Sequence, residues 1–202
     1  MNWKTCIKNV LPWLPFVTTD RYHIVELRRT QCHTVTETNI STCYRKALCE
    51  TDFLDITDAF PEELNRTEIT DRIKKRFQDE IPCFVARNKV TNELIGAVWL
   101  NPQGHSFLQE HAAQPVYWVT NLFIRSKFQG NGMGKQLLIV AVQTLFQETR
   151  CEAVLSQIHI KRISSLQIHA HAGFQIIGEY RESHIGNYWF GEFKRIINHK
   201  MQ

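Results

Sequence analysis

With 202 residues the chain is long enough for one sizeable hydrophobic core and too short for two comfortable domains. Its 43% hydrophobic and 22% charged residues are ordinary for a soluble globular protein. The net charge of +4 suits an anionic ligand such as a nucleotide cofactor but falls far short of a dedicated nucleic-acid binder, so no nucleic-acid partner is expected.

Six cysteines stand at positions 6, 32, 43, 49, 83 and 151 without a C-x-x-C pair, a spacing that fits neither a zinc site nor a compact disulfide scaffold. Reduced, mostly buried thiols are expected, and with them a cytoplasmic location. Val10–Val17 is apolar but too short for a membrane span of ~20 residues, and Pro12 and Pro15 break it. No small-residue cleavage site follows, so neither a signal peptide nor a membrane partner is expected, and the sequons at Asn39 and Asn65 carry no weight.

In chain order, residues 1 to 20 read as an apolar, proline-broken arm packed on the body, with Tyr22–Arg29 as an extra edge strand and Asn39–Ala47 as another short strand. Residues 1–37 form this arm and 38–202 the main domain. Glu50–Phe60 has Phe53, Ile56 and Phe60 at helical spacing, Thr51 or Asp52 as a cap, and Pro61 as a stop. A second helix spans Glu63–Asp79, with Ile69, Ile73 and Phe77 on one face and Lys74, Lys75 and Arg76 on a solvated one. Cys83–Arg87 and Glu93–Leu100 are strands joined by a hairpin turn at Asn88–Asn92. Asn101–Pro115 is a loop, with a helical turn near Phe107–Ala112.

Val116–Arg125 is a strongly apolar strand that runs straight into a glycine turn. From Gly132 the pattern is helical, with Leu137, Leu138, Ala141, Val142 and Leu145 in one stripe. Glu152–Ile160 is a strand, Ser164–His171 a short helix closed by Gly173, and Phe174–Arg181 and Tyr188–Ile197 two final strands around a Ser183–Asn187 turn. This order describes an α/β domain with a mixed sheet.

The turn Gln129-Gly130-Asn131-Gly132-Met133-Gly134-Lys135 joins a buried strand to an amphipathic helix. Glycines let successive N–H groups point into one concavity, and the helix adds its unpaired donors and positive dipole end, which together suit a phosphate or pyrophosphate. Arg125, Lys127 and Lys135 place charge around it. A P-loop would need glycine where Gln129 stands and Ser or Thr where Gln136 stands, while a dinucleotide fingerprint would need glycine at Lys135. Those two readings fail on spacing. The pattern Q/R-x-x-G-x-G/A is met in full by Gln129, Gly132 and Gly134.

Leu122-x-Ile124-x-x-x-x-Gln129-Gly-x-Gly132-x-Gly134, followed by an amphipathic helix, resembles the acyl-CoA signature of the GNAT acetyltransferase superfamily, over roughly Ile81–Ile197. The resemblance implies a single domain whose mixed, mostly antiparallel sheet has splayed central parallel strands flanked by helices. It implies acetyl-CoA (acyl-CoA) as co-substrate without a metal, and an amine acceptor, in a monomer or homodimer. It assigns the backbone of Asn121, Leu122, Phe123 and Ile124 to the pantetheine. Gln129, Gly130, Asn131, Gly132, Met133, Gly134 and Lys135 are assigned to the pyrophosphate.

Direct transfer to a primary amine asks chiefly for positioning plus two proton transfers. The stretch Ser165-Leu-Gln-Ile-His169-Ala-His171-Ala-Gly173-Phe174 is similar to the family segment in which a Tyr or His four residues before the glycine protonates the CoA thiolate. It thereby implies His169 as the acid and Ser165 as a cofactor contact. Arg162 replaces the asparagine frequent there. His169 and His171 diverge on a helix, so no metal pair is expected. The strand Tyr117-Trp118-Val-Thr120-Asn121 lacks the carboxylate that many relatives use as base. Thr120 and Asn121 can order a water, while His105, Glu110 and His111 belong to the preceding loop. The missing carboxylate and Arg162 leave a catalytically inactive, acyl-CoA-binding regulatory module as the alternative.

Overall fold

Leu94–Leu100 is buried at every position, the mark of a strand in the middle of a sheet covered on both faces. The computed structural model describes residues 18–32, 42–47, 50–59, 66–102, 115–185 and 188–195. Its strands are β1 (Thr18–Arg28), β2 (Thr42–Lys46), β3 (Cys83–Asn88), β4 (Leu94–Asn101), β5 (Val116–Ile124), β6 (Ala153–His159), β7 (Gln175–Ile185) and β8 (Tyr188–Arg195). Its helices are α1 (Glu50–Asp58), α2 (Arg66–Gln78), α3 (Met133–Glu148) and α4 (Ile163–His171). The strands form one open sheet in the order β2-β3-β4-β5-β6-β1-β7-β8, antiparallel except for the central β5–β6 pair. The mixed sheet with splayed parallel strands, flanked by helices, is the architecture the sequence implied.

Strand alternation divides the core. Val98 and Leu100 of β4 meet Leu137, Leu138, Ala141, Val142 and Leu145 of α3, so the stripe read from the sequence is the buried face of that helix. Ala97 and Trp99 turn the other way, onto Ile56 of α1 and Ile73 of α2. The β3–β4 hairpin closes through Asn88, whose Oδ1 accepts the N–H groups of Val90 and Thr91, with Asn92 in the left-handed region at φ 56°. Gly173, at φ 94°, ends α4. The four described cysteines are free, Cys83 and Cys151 buried and Cys32 and Cys43 half-buried. Among the described residues no helix is long and apolar enough to cross a membrane.

Three expectations change. The N-terminal strand is not at an edge: β1 lies inside the sheet, antiparallel to β6 and to β7. Its apolar residues serve both faces, Ile24 on one and Val25 and Leu27 on the other. Beyond it, the Arg29 guanidinium donates to the carbonyls of Phe146, Thr149 and Cys151, placing a cation at the C-terminal end of α3.

Asp52 does not cap α1. It sits inside the first turn, fully buried, and accepts from Arg87 Nε at 3.0 Å and Nη2 at 2.8 Å, while Asp55 takes Nη2 at 2.6 Å. Arg76 is not on a solvated face, because its guanidinium lies 5.3 Å from the centre of the Trp99 ring and burial lowers its pKa. The arm before residue 18, Asn39, Asn65, His105, Glu110, His111 and the expected turn at Phe107–Ala112 lie outside the described residues.

The buried Arg87–Asp52 pair ties α1 to β3. Arg87→Met is expected to cost about 3–5 kcal/mol in urea denaturation by stranding the Asp52 charge, and Arg87→Met with Asp52→Leu should recover most of that loss. Equal losses in the single and double variants would contradict this role.

Candidate active site

β5 and β6 run parallel and hydrogen-bonded only across Val116–Trp118 and Ala153–Leu155, and then separate. The cause lies on the other flank of β5. Ala97 pairs with Phe123 and Trp99 with Thr120, so Val98 alone faces both Asn121 and Leu122. This bulge puts Asn121 at φ 55°, a conformation asparagine tolerates better than most residues. The bend carries the end of β5 away from β6.

The opening is a cavity of about 360 Å³. Asn121 and Leu122 line it from β5, and Ser156, Gln157 and His159 from β6. Arg162, Ser165 and His169 border it on the α4 side, and Tyr22 closes it from β1. Of the four β5 residues assigned to the pantetheine, Asn121 and Leu122 face the cavity. The Phe123 side chain packs on the core under α1 and α2, and Ile124 packs beneath α3. The Ile124 carbonyl is engaged by the Gln129 side-chain amide at 2.8 Å. Gln129 therefore braces the turn through its side chain.

The glycine turn has the form of an anion seat. Gly130 (φ 81°) and Gly132 (φ 72°) are left-handed, and a Cβ at either would meet no atom within 4 Å, so the space above them is open. Gly132 is the N-cap of α3, and the first helical bond runs from Gln136 N–H to the Gly132 carbonyl at 3.1 Å. The N–H groups of Met133, Gly134 and Lys135 precede that bond, and no side chain caps them.

Side chains at the turn do other work. Met133 is buried and its sulfur receives the Thr42 hydroxyl, the Tyr44 hydroxyl donates to Gln136 Oε1 at 2.6 Å, and Gly134 allows Ile168 and Ile124 to approach, its missing Cβ lying 3.2 Å from Ile168 Cδ1. Asn131 donates to the Gln129 carbonyl, and Lys135 is exposed. Of the expected cations, Arg125 and Lys127 both pair with Glu93.

His169 is 2% exposed, stacked edge-on against Phe174 with ring centres 5.0 Å apart. Its Nδ1 lies 2.8 Å from the Ser165 carbonyl. A carbonyl only accepts, so Nδ1 carries the proton and Nε2 the lone pair. Nε2 is buried with no hydrogen-bond partner. Desolvation lowers the pKa to about 4, against a smaller opposing effect of the Ser165 bond, so the ring is neutral at pH 7. This polarity differs from the proton donor implied by the sequence: Nε2 must first accept a proton before it can give one. His171 is exposed on the opposite side of the helix.

Gln157 Oε1, on the β6 side of the opening, is likewise buried without a hydrogen-bond partner. Sequence reading missed Tyr22, Ser156, Gln157 and His159, because a strand's neighbours are set by long-range register. The signal available was the alternation of Tyr22 with Ile24 and of Gln157 with His159.

Three comparisons bear on this site. A model of the Acetyltransferase (GNAT) family matches residues 48–174, well over half the chain. The chain is 31% identical over 62 residues, 31% of its length, to the spermine/spermidine N(1)-acetyltransferase of Bacillus subtilis, the match spanning 41% of that protein. In fold it resembles a GCN5-related N-acetyltransferase from Sphaerobacter thermophilus, with TM-score 0.66 at 12% identity, covering 89% of this chain and 56% of that one. It also resembles AAC(6')-Iy in complex with the bisubstrate analogue CoA-S-monomethyl-acetylneamine, with TM-score 0.51 at 18% identity, covering 66% of this chain and 90% of that one. The splayed parallel strands, the glycine turn and the extent of the family match together lead to one conclusion: the chain belongs to the GNAT acetyltransferase family.

Proposed function

We propose that the chain is an N-acetyltransferase that moves an acetyl group from acetyl-CoA directly to a primary amine. The observation that carries this reading is the pairing of an open anion seat at Gly130–Lys135 with the gap between β5 and β6, which ends at the buried, unpartnered Nε2 of His169. The free N–H groups of Met133, Gly134 and Lys135 would hold the pyrophosphate. Backbone groups released by the Asn121 bulge, with Ser165 across the gap, would hold the pantetheine.

Acetyl-CoA supplies a thioester carbonyl that is already activated. The protein's task is to align an amine against it, an effect worth up to ~7–11 kcal/mol. Gln157 Oε1 presents an acceptor to an amine N–H. His169 Nε2 takes up the proton that the amine nitrogen sheds as its bond to the carbonyl carbon forms. It releases the same proton to the departing sulfur, so the ring ends neutral as it began. The acid role expected from the sequence is then the second half of a shuttle. The Bacillus subtilis relative acts on polyamines, so polyamines head the acceptor panel for a CoA-release assay.

CoA at ~100 times its Kd is expected to stabilise the protein by about 2.7 kcal/mol, and NAD or ATP not at all. Gly132→Val forces a branched residue to φ 72°, where strain of ~1–3 kcal/mol adds to the crowding of the anion seat, so CoA affinity should fall by about 100-fold. An unchanged Kd for Gly132→Val would refute the seat.

His169→Phe should lower kcat by ~10²–10⁴-fold while CoA affinity stays within a few-fold. Because the folded pKa of about 4 lies below the ordinary 6.5, the native state binds fewer protons than the unfolded chain between those values. The stabilisation is therefore complete above pH 6.5 and falls by about 3 kcal/mol as pH drops toward 4. The stability difference between wild type and His169→Phe should shrink over that window in urea titrations, and parallel pH profiles would exclude a buried neutral imidazole.

A further inference from the structure

The gap between β5 and β6 is bordered from both faces of the sheet. On one face α4 brings His169, and Leu166 and Ile168 of that helix pack with Val154, Ile158 and the α3 stripe. On the other face stands Tyr22, two residues before Ile24, which clusters with Trp118 and Leu155. Gly134, at the start of α3, lies against Ile168 of α4, so the glycine turn belongs to the His169 face. A cofactor seated there fills the gap from that side. An acceptor then has to arrive from the side of Tyr22.

Tyr22 stands in a row of three rings, one from each of three adjacent strands. It pairs across the sheet with His159 of β6 and with Tyr180 of β7. Its ring meets His159 edge-on with centres 5.2 Å apart and lies 6.2 Å from the Tyr180 ring, spacings at which aromatic pairs attract. His159 is fixed in turn, because its Nδ1 accepts the Lys161 N–H at 3.2 Å. Beside Tyr22 the Arg21 carbonyl accepts the Ile160 N–H at 3.0 Å, which ties β1 to the end of β6. With a strand paired on each side, β1 cannot step aside without breaking two ladders. The ring is a fixed wall of the cavity.

We propose that the Tyr22 ring sets the size of the acceptor, and that the preferred acceptors are primary amines on a slender, unbranched chain. The proposal rests on the acetyltransferase reading above and adds the shape of the acceptor. A cavity of about 360 Å³ is near the lower end of the roughly 300–1,000 Å³ usual for small-molecule sites, and the reacting end of the cofactor has to share it. A rigid ring bordering what remains admits a chain of methylenes and clashes with a quaternary carbon. Strand β1 precedes residues 48–174, so this wall does not come with the segment that the family model matches.

Butylamine and 3,3-dimethylbutylamine test the wall, since both carry the nitrogen on the same two methylenes and differ only in two methyl groups further along. CoA-thiol release by the wild type should give kcat/KM at least ~10-fold higher for butylamine, with the difference mostly in KM. In Tyr22→Ala the ratio should fall to within ~3-fold of unity because turnover of the bulky amine rises, a gain that a misfolded protein cannot produce. Tyr22→Leu, which keeps an apolar side chain on the strand, should move the ratio in the same direction, and Tyr22→Phe, which keeps the ring, should hold it near the wild-type value. A wild-type ratio near unity, a ratio unmoved in both Tyr22→Ala and Tyr22→Leu, or a Tyr22→Phe variant that loses selection as Tyr22→Ala does would each overturn the wall while leaving the transferase reading standing. Thiol release from neither amine, with acetyl-CoA binding intact in calorimetry, overturns the transferase reading and the wall with it.

Discussion

The structure depends on the bulge at Asn121. A continuous parallel β5–β6 ladder would consume every main-chain donor and acceptor between the two strands and leave no opening in the sheet. By setting Asn121 and Leu122 opposite the single residue Val98, β5 bends out of register with β6 after Trp118. The bend creates the cavity, releases backbone groups to line it, and leaves room for the His169 ring to face inward from α4. It is affordable because β4, on the other side, is anchored on both faces by α3 and by α1 with α2.

The proposed anion seat is built from main chain rather than from side-chain charge. Arg125 and Lys127, which follow β5, are tied to Glu93, and Gln129 and Asn131 donate to the carbonyls of Ile124 and Gln129. Side chains shape the loop, and the first amides of α3 precede its first helical bond without a side-chain cap. At the other end of the cavity, polarity is set by one short contact. The Ser165 carbonyl fixes the tautomer of His169 and burial keeps the ring neutral, so a residue of ordinary basicity becomes an acceptor held out of water.

Local pattern carried much of this into view. The glycine turn, the α3 stripe and the β3–β4 hairpin are encoded by spacings of a few residues, and each appears where those spacings put it. The place of β1 was not legible, since a strand's neighbours lie more than a hundred residues away in sequence and its first half, Asp20–His23, is polar enough to read as an edge. Asp52 illustrates the same limit: its chemistry suits a helix cap, and only the arrival of Arg87 from β3 makes it a buried ion-pair partner. The orientation of His169 was within reach, because a helix places Ser165 one turn before it. The consequence for its protonation needed the burial that only packing reveals.

The most direct test of the account is an NMR titration that follows backbone amide resonances as CoA is added. The amides of Met133, Gly134 and Lys135, together with Gly130 and Gly132, should show the largest shifts and saturate together. If CoA leaves those resonances in place, whether by binding elsewhere or not at all, the anion seat at the start of α3 is wrong and the proposed chemistry falls with it.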